Sequence, residues 1–197
     1  DREKMTYTDK ENSEFYAYIS DQSLFREVLD VIKNNDSPQM IGAITMQNHS
    51  PYDSAQYTDL EFVLKGDAEQ YWNLANSFQS LHSADAYIGE FLTELDKLEE
   101  RTVVLLFGDH TAGILSEYVN SDKQEEQFLA YLTPFFIYSN FEIRTEDKNR
   151  ELETKQANEK LGFNIDTKGV DLPVTTPNCL LNTVYNLLNV EKPALFY

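Results

Sequence analysis

The chain has 197 residues, 41% hydrophobic and 25% charged, with 34 acidic against 16 basic side chains and a net charge of −18. That length buries a sizeable core, and residues 1–197 read as a single domain. So acidic a balance offers no basic patch for a nucleic acid backbone or an anionic lipid surface; it suits a well-solvated exterior.

Residues 1–19 are polar with scattered aromatics and read as irregular. The charged start, Asp1-Arg2-Glu3-Lys4, has no apolar segment behind it and does not read as a signal peptide. Ser20 suits an N-cap, and Asp21 falls in the first turn, where the helix dipole favours a carboxylate. Leu24, Phe25, Val28, Leu29 and Ile32 then fall on one helical face, and Asn34-Asn35-Asp36-Ser37-Pro38 ends the helix. A strand is expected at 39–47. It delivers His49 at its carboxyl end, where Pro51 disfavours a helical Ser50. Leu60–Leu64 reads as a possible short strand.

A long helix is expected from Ala68 to Leu98. Tyr71, Leu74, Phe78, Leu81, Ala84, Ile88, Phe91, Leu92, Leu95 and Leu98 recur on it at three- and four-residue steps. His82 and Asp85 share one side of this helix, but within such a packing stripe they read as surface or boundary residues, not as a metal pair. Thr102-Val103-Val104-Leu105-Leu106-Phe107 follows as a buried strand of a parallel sheet. It ends at Gly108, and Asp109 and His110 come next. In open α/β sheets the ligand site lies beyond the carboxyl ends of the strands, and a carboxylate beside an imidazole suits a divalent cation.

Thr111–Leu115 reads as a loop with a glycine hinge, Glu117–Leu132 as polar and partly helical, and Arg144–Lys160 as a solvated charged run. Asp166–Pro177 is turn-rich. Asn178–Leu188 repeats apolar positions at Leu181, Val184, Tyr185 and Leu188 and reads as a C-terminal helix. The single cysteine, Cys179, allows no internal disulfide and is expected as a small buried apolar residue. No window reaches the 18 or more apolar residues of a membrane helix. Helix followed at once by strand is βαβ logic, so the fold class is α/β, a partly parallel sheet flanked by helices.

Thr45-Met46-Gln47-Asn48-His49-Ser50-Pro51-Tyr52, a long helix, and then Gly108-Asp109-His110 resemble the alkaline phosphatase/sulfatase superfamily. The closer resemblance is to its lipoteichoic acid synthase branch of phosphoglycerol transferases. Tyr18-Ile19-Ser20-Asp21-Gln22-Ser23-Leu24-Phe25 resembles that family's Ser-Asp-x-x-Phe entry into a helix, and Thr133–Tyr138 a later core strand. The resemblance implies that the chain is the C-terminal portion of a sulfatase-like catalytic domain. The half with the nucleophilic threonine and a further acidic ligand would then lie ahead of it. Cys179 lacks the following Pro-x-Arg of the sulfatase modification motif.

The resemblance further implies Asp109 and His110 as metal ligands, usually for Mn2+, and His49 as a catalytic, substrate-binding residue on the phosphate or leaving-group side. The implied donor is phosphatidylglycerol, its glycerol phosphate passing through a threonine ester to a cell-envelope glycopolymer, lipoteichoic acid or wall polysaccharide. The site would face outward from a bacterial membrane whose spanning helices lie outside this chain. With part of its ligand set missing, the chain is expected to hold the cation weakly or not at all, and to be inactive alone. Two alternatives remain at this point: a non-catalytic binding or docking module derived from the fold, and part of a sulfatase or phosphoethanolamine transferase.

Overall fold

Ser20 opens the first helix as expected. Its extended backbone (φ −63°, ψ 148°) lets the hydroxyl accept from the Ser23 N–H, and α1 runs Asp21–Lys33. In this computed structural model the described residues are 5–7, 18–52, 72–116, 131–143 and 175–189. The readings at 60–64, 68–71, 117–130, 144–160 and 166–174 lie outside them. The chain divides into two units, one formed by 1–101 with 110–133, the other by 102–109 with 134–197.

In the first unit α1 packs on α2, Trp72–Leu95. Phe25 and Phe91 stack with ring centroids 4.9 Å apart, and Leu29, Ala84 and the fully buried Leu95 complete an apolar seam. Gln22 donates to Glu90 at 2.9 Å at its edge. The apolar stripe expected on α2 holds only in its second half. Phe78 and Leu81 are exposed, while Asn76, Ser77, Gln79 and Ser80 are buried. The reason is what this half faces: Ser80 Oγ donates to the Gln47 carbonyl, and an irregular loop needs polar partners for its backbone.

The strand expected at 39–47 is absent. Residues 39–46 carry no ladder and lie exposed, with Met40 84% and Ile44 81% accessible. A strand exists only by pairing, and no strand among the described residues pairs with this segment.

The second unit holds β1, Val103–Phe107, where the sequence placed it. Its partner is β2, Phe135–Ser139, antiparallel, with Val103 opposite Ser139 and Phe107 opposite Phe135. The pairing extends past both ends: the Gly108 N–H donates to the Pro134 carbonyl, the Asn140 N–H to the Thr102 carbonyl, and the Thr102 N–H to Asn140 Oδ1. Among the described residues the ladder is thus antiparallel, and the parallel part of the expected sheet does not appear. Both strands are half-buried, not buried, and Phe107 at the end of β1 is exposed.

After β1, Gly113–Ser116 makes a single helical turn, α3, within the first unit. In the second, a 3-10 turn, Pro177–Cys179, leads into α4, Leu180–Leu188, which packs against β1. α4 ends at Asn189 in the left-handed conformation (φ 50°), a common helix stop. Cys179 is exposed, contrary to its expected burial. It sits at the helix entrance and accepts from Thr176 Oγ1, while Leu180 takes the buried position and Leu181 is left partly exposed. No helix among the described residues is long and apolar enough to cross a membrane.

Candidate functional site

His49 stands on a tight turn, its N–H donating to the Met46 carbonyl at 3.0 Å. Several elements hold that turn. Gln47 is buried; its Oε1 accepts from the Asp21 N–H at 2.8 Å, and its carbonyl accepts from Ser80 Oγ at 3.3 Å. Asn48 Nδ2 reaches Asp21 Oδ2 at 3.5 Å, and the Tyr52 hydroxyl donates to the Asn48 carbonyl at 2.6 Å. Tyr52 is buried, which pushes its phenol above the usual tyrosine range. The Ser50–Pro51 bond between His49 and Tyr52 is cis. Thus Asp21 of α1, Ser80 of α2 and Tyr52 hold the turn beneath an exposed His49.

The imidazole is oriented as well. Nδ1 lies 2.7 Å from the Ser50 carbonyl. A carbonyl only accepts, so Nδ1 carries the proton and donates, and in the neutral ring Nε2 is the basic atom. His110 repeats the arrangement, with Nδ1 donating to the Thr111 carbonyl at 3.0 Å. That orientation suits a ligand on Nε2, since metal-binding histidines usually donate their other N–H to a carbonyl or carboxylate.

Asp109 and His110 occupy exposed bends directly after β1 and Gly108. The chain itself brings these two together, and His49 is placed with Tyr18 and Ser50. A carboxylate oxygen and an imidazole nitrogen form a donor set that manganese, zinc or magnesium accepts. As residue types they suit part of such an ion's shell; they are consecutive in the chain, Asp109 ending a stretch of the second unit and His110 opening one of the first. Among the described residues no group of three or more His, Cys, Asp or Glu is placed to hold a metal. His82 is exposed on α2, as a surface residue.

Sequence reasoning missed Tyr18 and Gln47 as parts of the site. Both lay inside the quoted motifs, but neither side chain has chemistry that marks it; only the fold shows what they touch.

The chain resembles known proteins across most of its length. It is 24% identical to the Streptococcus pyogenes phosphoglycerol transferase GacH, solved in complex with sn-glycerol-1-phosphate; the match covers 91% of this chain and 50% of that one, with a TM-score of 0.50. That likeness is one of fold. A Rhizobium meliloti (strain 1021) protein assigned to cyclic beta-1,2-glucan modification is 23% identical over 136 residues, 62% of this chain and 21% of the relative. The chain therefore spans about half of the solved relative and about a fifth of the curated one. The sulfatase profile matches residues 2–167, which include both histidine motifs, and the chain belongs to the sulfatase family.

Proposed function

We propose that the chain is part of a metal-dependent phosphoglycerol transferase that moves glycerol phosphate from phosphatidylglycerol to a cell-envelope polymer, lipoteichoic acid or a wall polysaccharide. The observation that carries this reading is the pair of histidines in a sulfatase-family chain, each with Nδ1 tied to a backbone carbonyl, an orientation that favours Nε2 as the atom for a ligand. The fold likeness to a phosphoglycerol transferase solved with sn-glycerol-1-phosphate supports it.

In this reading Asp109 and His110 hold the divalent cation, Mn2+ by the resemblance, which when bound neutralises charge developing on the phosphoryl oxygens. His49 acts on the phosphate or leaving-group side. Protonated, its Nε2–H donates to a phosphoryl oxygen or gives its proton to the departing diacylglycerol oxygen; neutral, Nε2 takes a proton from the acceptor hydroxyl. The anchored turn beneath His49 keeps that nitrogen in register, and positioning is a large share of phosphoryl-transfer catalysis.

The nucleophilic threonine and a further acidic ligand are assigned to the part of such a domain that this chain does not cover. With two donors against the four or more such ions take, the chain alone is proposed to hold Mn2+ weakly and turn over no substrate. The intact enzyme would work on the outer face of a bacterial membrane, where phosphatidylglycerol and the polymer acceptor meet.

The test is release of diacylglycerol from phosphatidylglycerol by the intact enzyme with Mn2+. Activity that falls at least about 100-fold in His49→Ala and in Asp109→Ala is expected. Undiminished turnover in either variant, or manganese-dependent turnover by the 197-residue chain alone, would overturn the assignment.

A further inference from the structure

We propose that Tyr18 is a positioning residue for His49, holding the imidazole so that Nε2 is the nitrogen presented to a ligand. The inference rests on the reading of His49 as the phosphate-side histidine. The Tyr18 ring stands edge-on to the imidazole, with centroids 5.7 Å apart and planes at 64°, an arrangement aromatic rings favour. Its hydroxyl oxygen lies 3.4 Å from Nδ1.

The Nδ1 proton points to the Ser50 carbonyl at 2.7 Å, so the phenol oxygen flanks the same N–H as a second, longer acceptor. A half-turn of the ring would put a carbon where Nδ1 stands and lose both partners. Ser50 is the next residue and moves with the turn. Tyr18 comes from 31 residues away and, among the described residues, ties the ring to the rest of the unit.

Tyr18 is itself held. It lies two residues before Ser20, whose hydroxyl accepts from the Ser23 N–H at 3.1 Å, and three before Asp21, whose N–H donates to Gln47 Oε1. Tyr18 and His49 therefore sit on either side of one short bonded circuit, Tyr18-Ile19-Ser20-Asp21 and Gln47-Asn48-His49. An exposed imidazole lacking such a clamp would spread over its rotamers, and freezing it would fall to the substrate. Tyr18 does that work before binding.

The test pairs a structural readout with a kinetic one. In the 197-residue chain with 15N-labelled histidine, long-range 1H–15N spectra should show neutral His49 with its proton on Nδ1 and its ring protons displaced by the Tyr18 ring current. Tyr18→Phe should keep the displacement. Tyr18→Ala, or Tyr18→Leu if the alanine variant does not fold, should lose it and mix the tautomers. In the intact enzyme Tyr18→Ala should lower kcat about 10- to 100-fold with little change in KM, since misplacing a reacting group by about 1 Å costs on the order of 100-fold.

An unchanged tautomer and ring shift in Tyr18→Ala would overturn the proposal. So would an unchanged kcat beside an inactive His49→Ala. Full turnover by His49→Ala would instead remove the phosphate-side reading of His49, and with it the kinetic role given to Tyr18, whatever the spectra show of the ring contact.

Discussion

The Asp21 backbone N–H donates to the side-chain oxygen of Gln47 at 2.8 Å, both residues buried. Asp21 is the first residue of α1, and its N–H is one of the donors no helix can satisfy internally. Gln47 satisfies it from the turn that carries His49, so the helix start and the candidate site are one structure. Gln47→Ala leaves that N–H buried without its acceptor, at a cost of about 1–3 kcal/mol. Urea unfolding should show a lower midpoint of that size. A midpoint equal to wild type would mean that α1 does not depend on the turn.

The apolar seam between α1 and α2 should dominate the stability of the first unit. Leu95 is fully buried, and Leu95→Ala should cost about 2–5 kcal/mol; Phe91→Ala, which removes the ring stacked on Phe25, should cost about 3–5. Ile44→Ala is the contrasting variant. Ile44 is 81% exposed, and its truncation should stay within about 0.5 kcal/mol in the 197-residue chain. A large loss at Ile44 in urea unfolding would mean that residues 39–46 are packed in solution.

That contrast also marks where sequence pattern stops. α1, β1 and α4 were legible because each carries its own signal: a Ser20 cap before a 3.6-residue apolar period, a β-branched run ended by Gly108, a period ended near Asn189. Residues 39–47 carry an equally good strand signal, but a strand is completed by a neighbour, and the sequence of one segment cannot supply it. The first half of α2 misled for a related reason. Its period was real, but Phe78 and Leu81 turn outward because the opposite, serine-rich face meets the Gln47 turn. Of the candidate site, His49, Asp109 and His110 could be named from their chemistry; Asp109 and His110 do follow a strand, but His49, expected at a strand's carboxyl end, stands on a turn with no strand directly before it. Tyr18 could not be named, since an edge contact across 31 residues leaves no trace in spacing.

Tyr52 makes the turn sensitive to alkali. Burial raises its phenol above the ordinary 10.0, so the folded state holds the proton more tightly than the unfolded chain. The stability this contributes is complete below the unfolded value and is lost as pH rises through the folded one. The urea midpoint should therefore fall above about pH 10, and Tyr52→Phe should flatten part of that fall while lowering the midpoint at neutral pH by losing the bond to the Asn48 carbonyl. Tyr7 is raised too, by its hydrogen bond to Asp30 and that carboxylate's charge. Tyr7→Phe is needed beside Tyr52→Phe to separate the two. An alkaline limb identical in wild type and Tyr52→Phe would show that burial of Tyr52 has no bearing on it.

The proposed manganese binding can be tested without turnover. In the intact enzyme, electron paramagnetic resonance of free Mn2+ during titration gives the affinity directly. Asp109→Ala removes the proposed carboxylate donor, and His110→Ala the proposed imidazole donor, whose Nδ1–H is held by the Thr111 carbonyl. Losing even an outer hydrogen-bond partner of a ligand typically weakens a metal about 10- to 100-fold, so losing the ligand itself should weaken it by at least that much. His82→Ala, on the exposed face of α2, should leave the affinity unchanged. The 197-residue chain should bind far more weakly than the intact enzyme, because two donors leave most of the coordination sphere to water. Wild-type affinity in both the Asp109 and His110 variants would place the metal elsewhere. The bends after β1 would then be an ordinary strand exit.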